Sequence, residues 1–477
     1  MHQVIGRKKE LALLKSLIES DKSEFVAVYG RRRVGKTFLI RQATGDKFTF
    51  FVTGMDNSTK KNQLINFAIA LQVYSGSQSI DVQDNWLLAF YKLRLYLGGL
   101  PEGPKVVFID ELPWMDGAKS GFIPALENFW NNWASLRDDI KLIVCGSATS
   151  WMINNLIRSK GGLHNRLTCQ IMLEPFTLAE CEEYFRTYGF SYSRRQIAET
   201  YMAMGGIPYY LSMMDKSRSV AQNIDRLFFA KDALLRNEFQ DLYQALFKNA
   251  KPHIQVVTAL AEKGIGMERR ELVTATGLNN NGALSVVLEE LEQCGFIRSY
   301  QPFGNAFSSV RRRQSRETVY QLMDFYTLFW FKFIKGNTYG DEKFWSLSLN
   351  SPVHNTWAGL SFEILCLSHV RQIKQALGIA GVQTSACCWH DAKAQIDLLI
   401  DRKDETVNLC EIKYSKGKYE ISQTEADKLI SRMDTFAKST GTKKSLLLTM
   451  ITTEGVKRNV HSDIVQVELS LDDLFLV

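Results

Sequence analysis

The chain has 477 residues, with 58 lysines and arginines against 51 aspartates and glutamates and a net charge of +7. That length exceeds a single core, and about three domains of ~100–200 residues each are expected. Its 45% hydrophobic and 23% charged residues are those of an ordinary folded chain, and no apolar run approaches the ~20 residues that cross a bilayer. Residues 1–10 lack the apolar stretch of a signal peptide, so a cytoplasmic protein without a membrane partner is expected. The eight cysteines form no C-x-x-C pair, and Cys387 and Cys388 are neighbours, which fits reduced thiols better than a disulfide or zinc framework.

The first element in chain order is the apolar run FVAVY at 25–29, which enters GRRRVGKT at 30–37. A strand, a loop and then an amphipathic helix from Phe38 is the context of a phosphate loop, G-x-x-x-x-G-K-[ST]. Gly30 and Gly35 let backbone N–H groups curl around phosphates, Lys36 reaches toward the β and γ groups, and Thr37 offers its hydroxyl to Mg²⁺. ATP and Mg²⁺ are therefore the expected cofactors. Arg31, Arg32 and Arg33 read either as ordinary loop residues or as extra phosphate clamps.

A second strand is expected at 48–52, and helices at 61–71 and 86–97, an alternation that predicts parallel α/β architecture. The apolar run KVVFI at 105–109 ends in Asp110 and Glu111. At a strand end, Asp110 suits Mg²⁺ and Glu111 suits polarisation of an attacking water. The next apolar run, KLIVC at 141–145, ends in GSATS, where Ser147 or Thr149 could sense a γ-phosphate or simply form a small-residue turn.

Together VIGR with Glu10, GRRRVGKT, VVFIDELPW, LIVCGSATSWM, LHNR at 163–166 and GGIPYY at 205–210 resemble the archaeal and bacterial STAND ATPases of the AAA-like P-loop superfamily, over residues 1–245. The resemblance implies that Arg7 packs near the adenine and that Pro208, in a helical lid, contacts the nucleotide. It also aligns Arg166 with an arginine that acts in trans in a homo-oligomer. Asn165 stands where that family has glycine, so a solvated or phosphate-facing Arg166 is an equal alternative.

Helical stretches at 254–260, 269–273 and 281–294, followed by strands at 295–300 and 318–322, resemble a winged helix. Between those strands lie Arg311, Arg312, Arg313 and Arg316, which read as a wing that neutralises DNA phosphates or as a solvated loop on a spacer domain. The aromatic-rich helix expected from DFYTLFWFKF at 324–333 reads as a core or interdomain stripe rather than a base-stacking platform.

In the last third, Glu363 falls in an expected helix at 359–371, Asp397 in the strand QIDLLI at 395–400, and Glu411 and Lys413 in a strand at 407–414. Adjacent strands of one hairpin can join Asp397 to Glu411, and period-two geometry puts Glu411 and Lys413 on one face. Glu363, Asp397 and Glu411 are hard oxygen ligands for Mg²⁺, with Lys413 orienting the nucleophile. This order resembles the PD-(D/E)xK nucleases.

The fold class expected is multidomain α/β: a P-loop NTPase parallel sheet with helical lid, a winged helix, and a C-terminal restriction-endonuclease-like α/β domain. The expected boundaries are 1–165 for the ATPase core, 166–248 for the lid, 249–322 for the winged helix and 323–477 for the aromatic helix with the nuclease-like domain. Linkers are expected near 248–252 and 336–352. The functional expectation is an ATPase whose nucleotide state governs a metal-dependent, DNA-acting C-terminal domain. The alternative is a nucleotide-dependent switch or scaffold with an inactive nuclease-like domain; a helicase finds no second motor domain.

Overall fold

The computed structural model describes residues 4–117, 119–158, 161–264, 266–300, 303, 318–337, 340–390 and 394–477, apart from the side chains of His390 and Asp397. It divides into two compact units, Met1–Pro175 with Ala245–Lys248, and Phe176–Gln244 with Asn249–Val477. Of the segments expected as lid, winged helix and nuclease-like domain, residues 176–244 and 249–477 fall in the second unit, whereas 166–175 and 245–248 of the expected lid fall in the first.

The first unit holds five parallel strands, β1 (Glu24–Gly30), β2 (Phe50–Thr53), β3 (Lys105–Asp110), β4 (Ile140–Gly146) and β5 (Cys169–Leu173), in the order β2-β3-β4-β1-β5. Every residue of β3 and β4 is buried. Such continuous apolar strands belong inside a sheet covered by helices on both faces. Phe25, Phe50, Phe67, Trp86, Phe90 and Phe122 form the heart of one core, and fully burying each such ring contributes about 1.5–3 kcal/mol.

β5 lies beyond residue 165, where the ATPase core was expected to end. Its five residues alternate, with Ile171 and Leu173 buried and Gln170 and Met172 exposed. This is the pattern of an edge strand and is too short to stand out from a loop.

In the second unit, three helices (Ala250–Lys263, Arg269–Thr276, Gly282–Gln293) accompany an antiparallel sheet of β6 (Met267–Glu268), β7 (Ile297–Tyr300) and β8 (Val319–Leu322) in the order β6-β8-β7. Arg311, Arg312, Arg313 and Arg316 lie outside the described residues. The aromatic segment forms a helix, Phe325–Phe329, capped by the Asp324 carboxylate, which accepts from Thr327 N. Its buried rings join a core, as the core-stripe reading anticipates.

The expected linker at 336–352 instead contains the helix Phe344–Ser348. Trp345, 3% exposed, packs its ring on Phe329, Phe333 and Trp357, and its backbone N–H donates to Asp225 Oδ1 at 2.8 Å. Burial of the indole holds this glycine- and serine-containing stretch in place. The other expected linker is also occupied, since the helix Ala250–Lys263 begins within it.

The helix carrying Glu363 runs Pro352–Ser368, not 359–371. Its early start follows from Ser351, which caps His354 N, with Pro352 at the first helical position. The C-terminal sheet comprises β9 (Thr384–His390), β10 (Gln395–Arg402), β11 (Thr406–Lys413), β12 (Ser445–Thr452) and β13 (Val467–Ser470), in the order β13-β12-β11-β10-β9. The pairs β9/β10 and β10/β11 are antiparallel, whereas β11/β12 and β12/β13 are parallel. The crossover from β11 to β12 is the helix Gln423–Thr440, named α1 here.

Candidate active sites

Gly30 ends β1 with φ +140°, and a Cβ there would lie 2.2 Å from Leu173 O. Only glycine lets the chain leave the sheet against β5 in this way. Gly35, at φ +90°, precedes the helix Lys36–Thr44. Lys36 is 6% exposed, and its Nζ donates to Gly30 O at 3.0 Å and Arg31 O at 2.9 Å, so the ammonium lies along the loop's own carbonyls.

Thr37 Oγ1 donates to Asp110 Oδ2 at 2.9 Å, which joins the loop to the end of β3. Asp110 Oδ1 accepts from Glu111 N at 3.0 Å. Glu111 turns the chain with φ +45°, and its Oε2 accepts from both Ser147 N, at 3.0 Å, and Ser147 Oγ, at 2.9 Å. Because β4 lies between β1 and β3, Ser147 at its end reaches the acid at the end of β3. Of the two candidates there, Ser147 touches Glu111, whereas Thr149 is fully buried and its hydroxyl turns back to Ser147 O at 3.5 Å. Burial drives the Cys145 thiol, one residue before Gly146, well above its ordinary pKa, with Asp110 adding to the rise and Lys36 opposing it. It stays a neutral thiol.

The structure thus brings Gly30, Gly35, Lys36, Thr37, Asp110, Glu111 and Ser147 together. Arg7, 9% exposed and with φ +50°, donates from Nη2 to Glu174 O just after β5. Arg166 is exposed in the loop before β5. Asn165 before it has φ +55°, a conformation asparagine tolerates better than most other side chains. Pro208 lies in the second unit, at the first position of the helix Pro208–Ser212. The Gly206 before it has no room for a side chain, since a Cβ would meet Phe176 O at 2.0 Å.

In the second unit, Glu363, Glu411 and Lys413 line one open cleft of ≈ 880 Å³. Lys413 Nζ lies 2.8 Å from Glu411 Oε1 and 3.9 Å from Glu425 Oε1. Arg432, on α1, donates to Glu411 Oε2. Sequence reading missed Arg432, because only the crossover helix brings it back over β11. Asp397 lies on β10, one step beyond the pair Leu398↔Cys410 that would continue to Glu411; its side chain lies outside the described residues. Among the described residues no three His, Cys, Asp or Glu side chains converge as a metal-ligating group.

Residues 5–214 match the family model of an ATPase domain predominantly from Archaea. Over 416 residues the chain is 21% identical to an uncharacterized protein of Methanocaldococcus jannaschii, covering 86% of this chain and 87% of that relative. The Walker-type ATPase of Pyrococcus abyssi matches with a TM-score of 0.48 and 15% identity, over 69% of this chain and 96% of its own. The ORC2 protein of Aeropyrum pernix, solved as ADPNP–ADP complexes, matches with a TM-score of 0.38 and 14% identity, over 67% of this chain and 90% of its own. Residues 5–214 are similar to an archaeal-type ATPase domain, and they hold the parallel sheet with the glycine loop at the end of β1 and the acidic end of β3. No helix among the described residues is long and apolar enough to cross a membrane.

Proposed function

We propose that the chain binds and hydrolyses ATP at the end of β1 and β3, and that nucleotide state governs metal-dependent DNA cleavage in the cleft beside β11. The observation that carries the first half is the Thr37–Asp110 contact of 2.9 Å, with Glu111 held alongside by Ser147.

A hydroxyl and a carboxylate at that spacing are hard oxygen donors and fit Mg²⁺, so Thr37 and Asp110 would hold it. Bound there, the ion supplies charge neutralisation for the β and γ phosphates. Lys36 would exchange its two loop carbonyls for phosphate oxygens, and Glu111 would orient the attacking water while Ser147 fixes its carboxylate. Arg7 and Pro208 are assigned to nucleotide contact, and Arg166 to a neighbouring copy's phosphates, on the STAND resemblance alone.

For the second half, the support is that Glu363, Glu411 and Lys413 share one cleft. Glu363, Asp397 and Glu411 would hold Mg²⁺ there, and Lys413 would position the nucleophile. The mixed sheet supports the restriction-endonuclease-like reading, and the three helices with three short strands support the winged-helix one.

One observation favours a second reading, a nucleotide-controlled switch with an inactive cleft: both oxygens of Glu411 are paired with cations, Lys413 and Arg432. The deciding experiment is cleavage of plasmid and single-stranded DNA with Mg²⁺ or Mn²⁺, with and without ATP, by the parent and by Lys413→Ala. Cleavage lost in the variant supports the nuclease; a folded, ATP-hydrolysing parent that cuts nothing supports the switch.

A further inference from the structure

The helix α1 presents two unlike faces. Ala426, Leu429 and Phe436 are buried and pack against the C-terminal sheet. Thr424, Lys428, Ser431, Arg432 and Thr435 line the open cleft that also holds Glu411 and Lys413. Their spacing of three and four residues sets them in one stripe, which rises roughly 16 Å along the helix at ~1.5 Å per residue.

The composition of this stripe differs from a generic solvated face. It carries two cations and three hydroxyls, of which Thr435 already donates to Ser431 O at 2.7 Å, and Asp427 is the one acid that α1 adds to the cleft. Hydroxyl and cationic side chains are the groups that contact phosphate oxygens and sugars and set the register of a polynucleotide. A stripe of that length passes several nucleotide steps at ~3.4 Å per strand. Arg432 sits at the junction, since it lies in the stripe and touches Glu411.

We propose that this face of α1 is the track for the phosphodiester backbone of a DNA strand entering the cleft, with Lys428 and Arg432 neutralising successive phosphates and Thr424 and Ser431 donating to them. The inference rests on the DNA-acting reading of the cleft, but concerns binding and needs no cleavage. Arg432 is then a phosphate-binding residue that rests on Glu411 when no strand is present.

The test is fluorescence anisotropy of a labelled single-stranded DNA 20-mer with the full chain, in Ca²⁺, across a series of salt concentrations. Loss of one phosphate contact flattens the slope of log K against log salt by about 0.7 for single strands. Lys428→Gln and Arg432→Gln are each expected to show that change, and Lys428→Arg to keep the parent slope. Ser431→Ala is expected to weaken binding about 3–10-fold, the loss of one hydrogen bond. Parent slopes and affinities in both glutamine variants, or a parent that does not bind the 20-mer, would overturn the proposal. Cleavage in Mg²⁺ with unchanged slopes would remove this track and leave the nuclease reading intact; flattened slopes without cleavage would do the reverse.

Discussion

Two carboxylate centres, one in each unit, are held in opposite ways. At the end of β3, Asp110 and Glu111 accept hydrogen bonds from neutral donors: the Thr37 hydroxyl, a backbone N–H, and the N–H and hydroxyl of Ser147. The nearby Lys36 ammonium lies on loop carbonyls. Beside β11, Glu411 is held by two cations. Neutral donors orient a carboxylate and leave its charge available to an ion or a water, whereas two cations already balance it. On the proposed function, the first centre would act once nucleotide arrives, whereas at the second an incoming ion or strand would first have to displace a partner.

The comparison breaks most plainly at Lys36. Lys36→Ala is expected to lower ATP turnover on the order of 10³-fold, the scale for removing one preorganised charge donor, as read by phosphate release; undiminished turnover refutes the site. Glu111→Gln keeps both Ser147 contacts available and removes the charge, so turnover should fall about 10²–10³-fold while nucleotide binding, measured by calorimetry, persists. Lys413→Ala sharpens the contrast: DNA cleavage should drop about 10²-fold or more with ATP turnover retained. Equal loss of both activities would mean that the two centres are not separable.

A smaller effect should single out the second unit by pH. His369 Nε2 accepts from Leu178 N at 3.2 Å, so the ring proton sits on Nδ1, which donates to Leu365 O at 2.9 Å. Burial lowers the pKa of this histidine to about 4, against the weaker opposing pull of the Leu365 carbonyl. Charging Nε2 would set an N–H against the Leu178 N–H. The unfolded chain takes the proton first, near pH 6.5, so stability falls as pH drops from 6.5 toward 4, by about 3 kcal/mol in all. Urea titrations at pH 7 and pH 4.5 should show a larger loss of stability in the parent than in His369→Gln; equal losses would contradict this linkage. Smallest, Gly206→Ala should destabilise the same unit by about 1–3 kcal/mol, since its Cβ meets Phe176 O; a melting temperature equal to the parent's would contradict the close approach.

What was legible in the sequence follows from how local each feature is. GRRRVGKT and VVFIDE were readable because a glycine turn and a strand-end acid carry their chemistry within a few residues. The Glu111–Ser147 contact was not, because it depends on β4 being inserted between β1 and β3, which strand order alone decides. Glu411 and Lys413 were readable from their spacing of two, while Arg432 was hidden by its separation of 21 positions from Glu411. The polar face of α1 resembled any solvated helix until the cleft gave it a direction. Trp345 was concealed by neighbours typical of a loop, and only its ring partners reveal it as a core residue.

The strand Cys169–Leu173 also bears on how the first unit can be isolated. It pairs with β1 from Val26 to Gly30, and Val26 and Val28 are 1% and 0% exposed. A chain ended at residue 165 would leave β1 with a bare row of N–H and C=O groups along apolar side chains, a template for pairing with another chain. Such a fragment is expected to aggregate, while one that continues through Pro175 keeps β1 covered by the short, alternating β5.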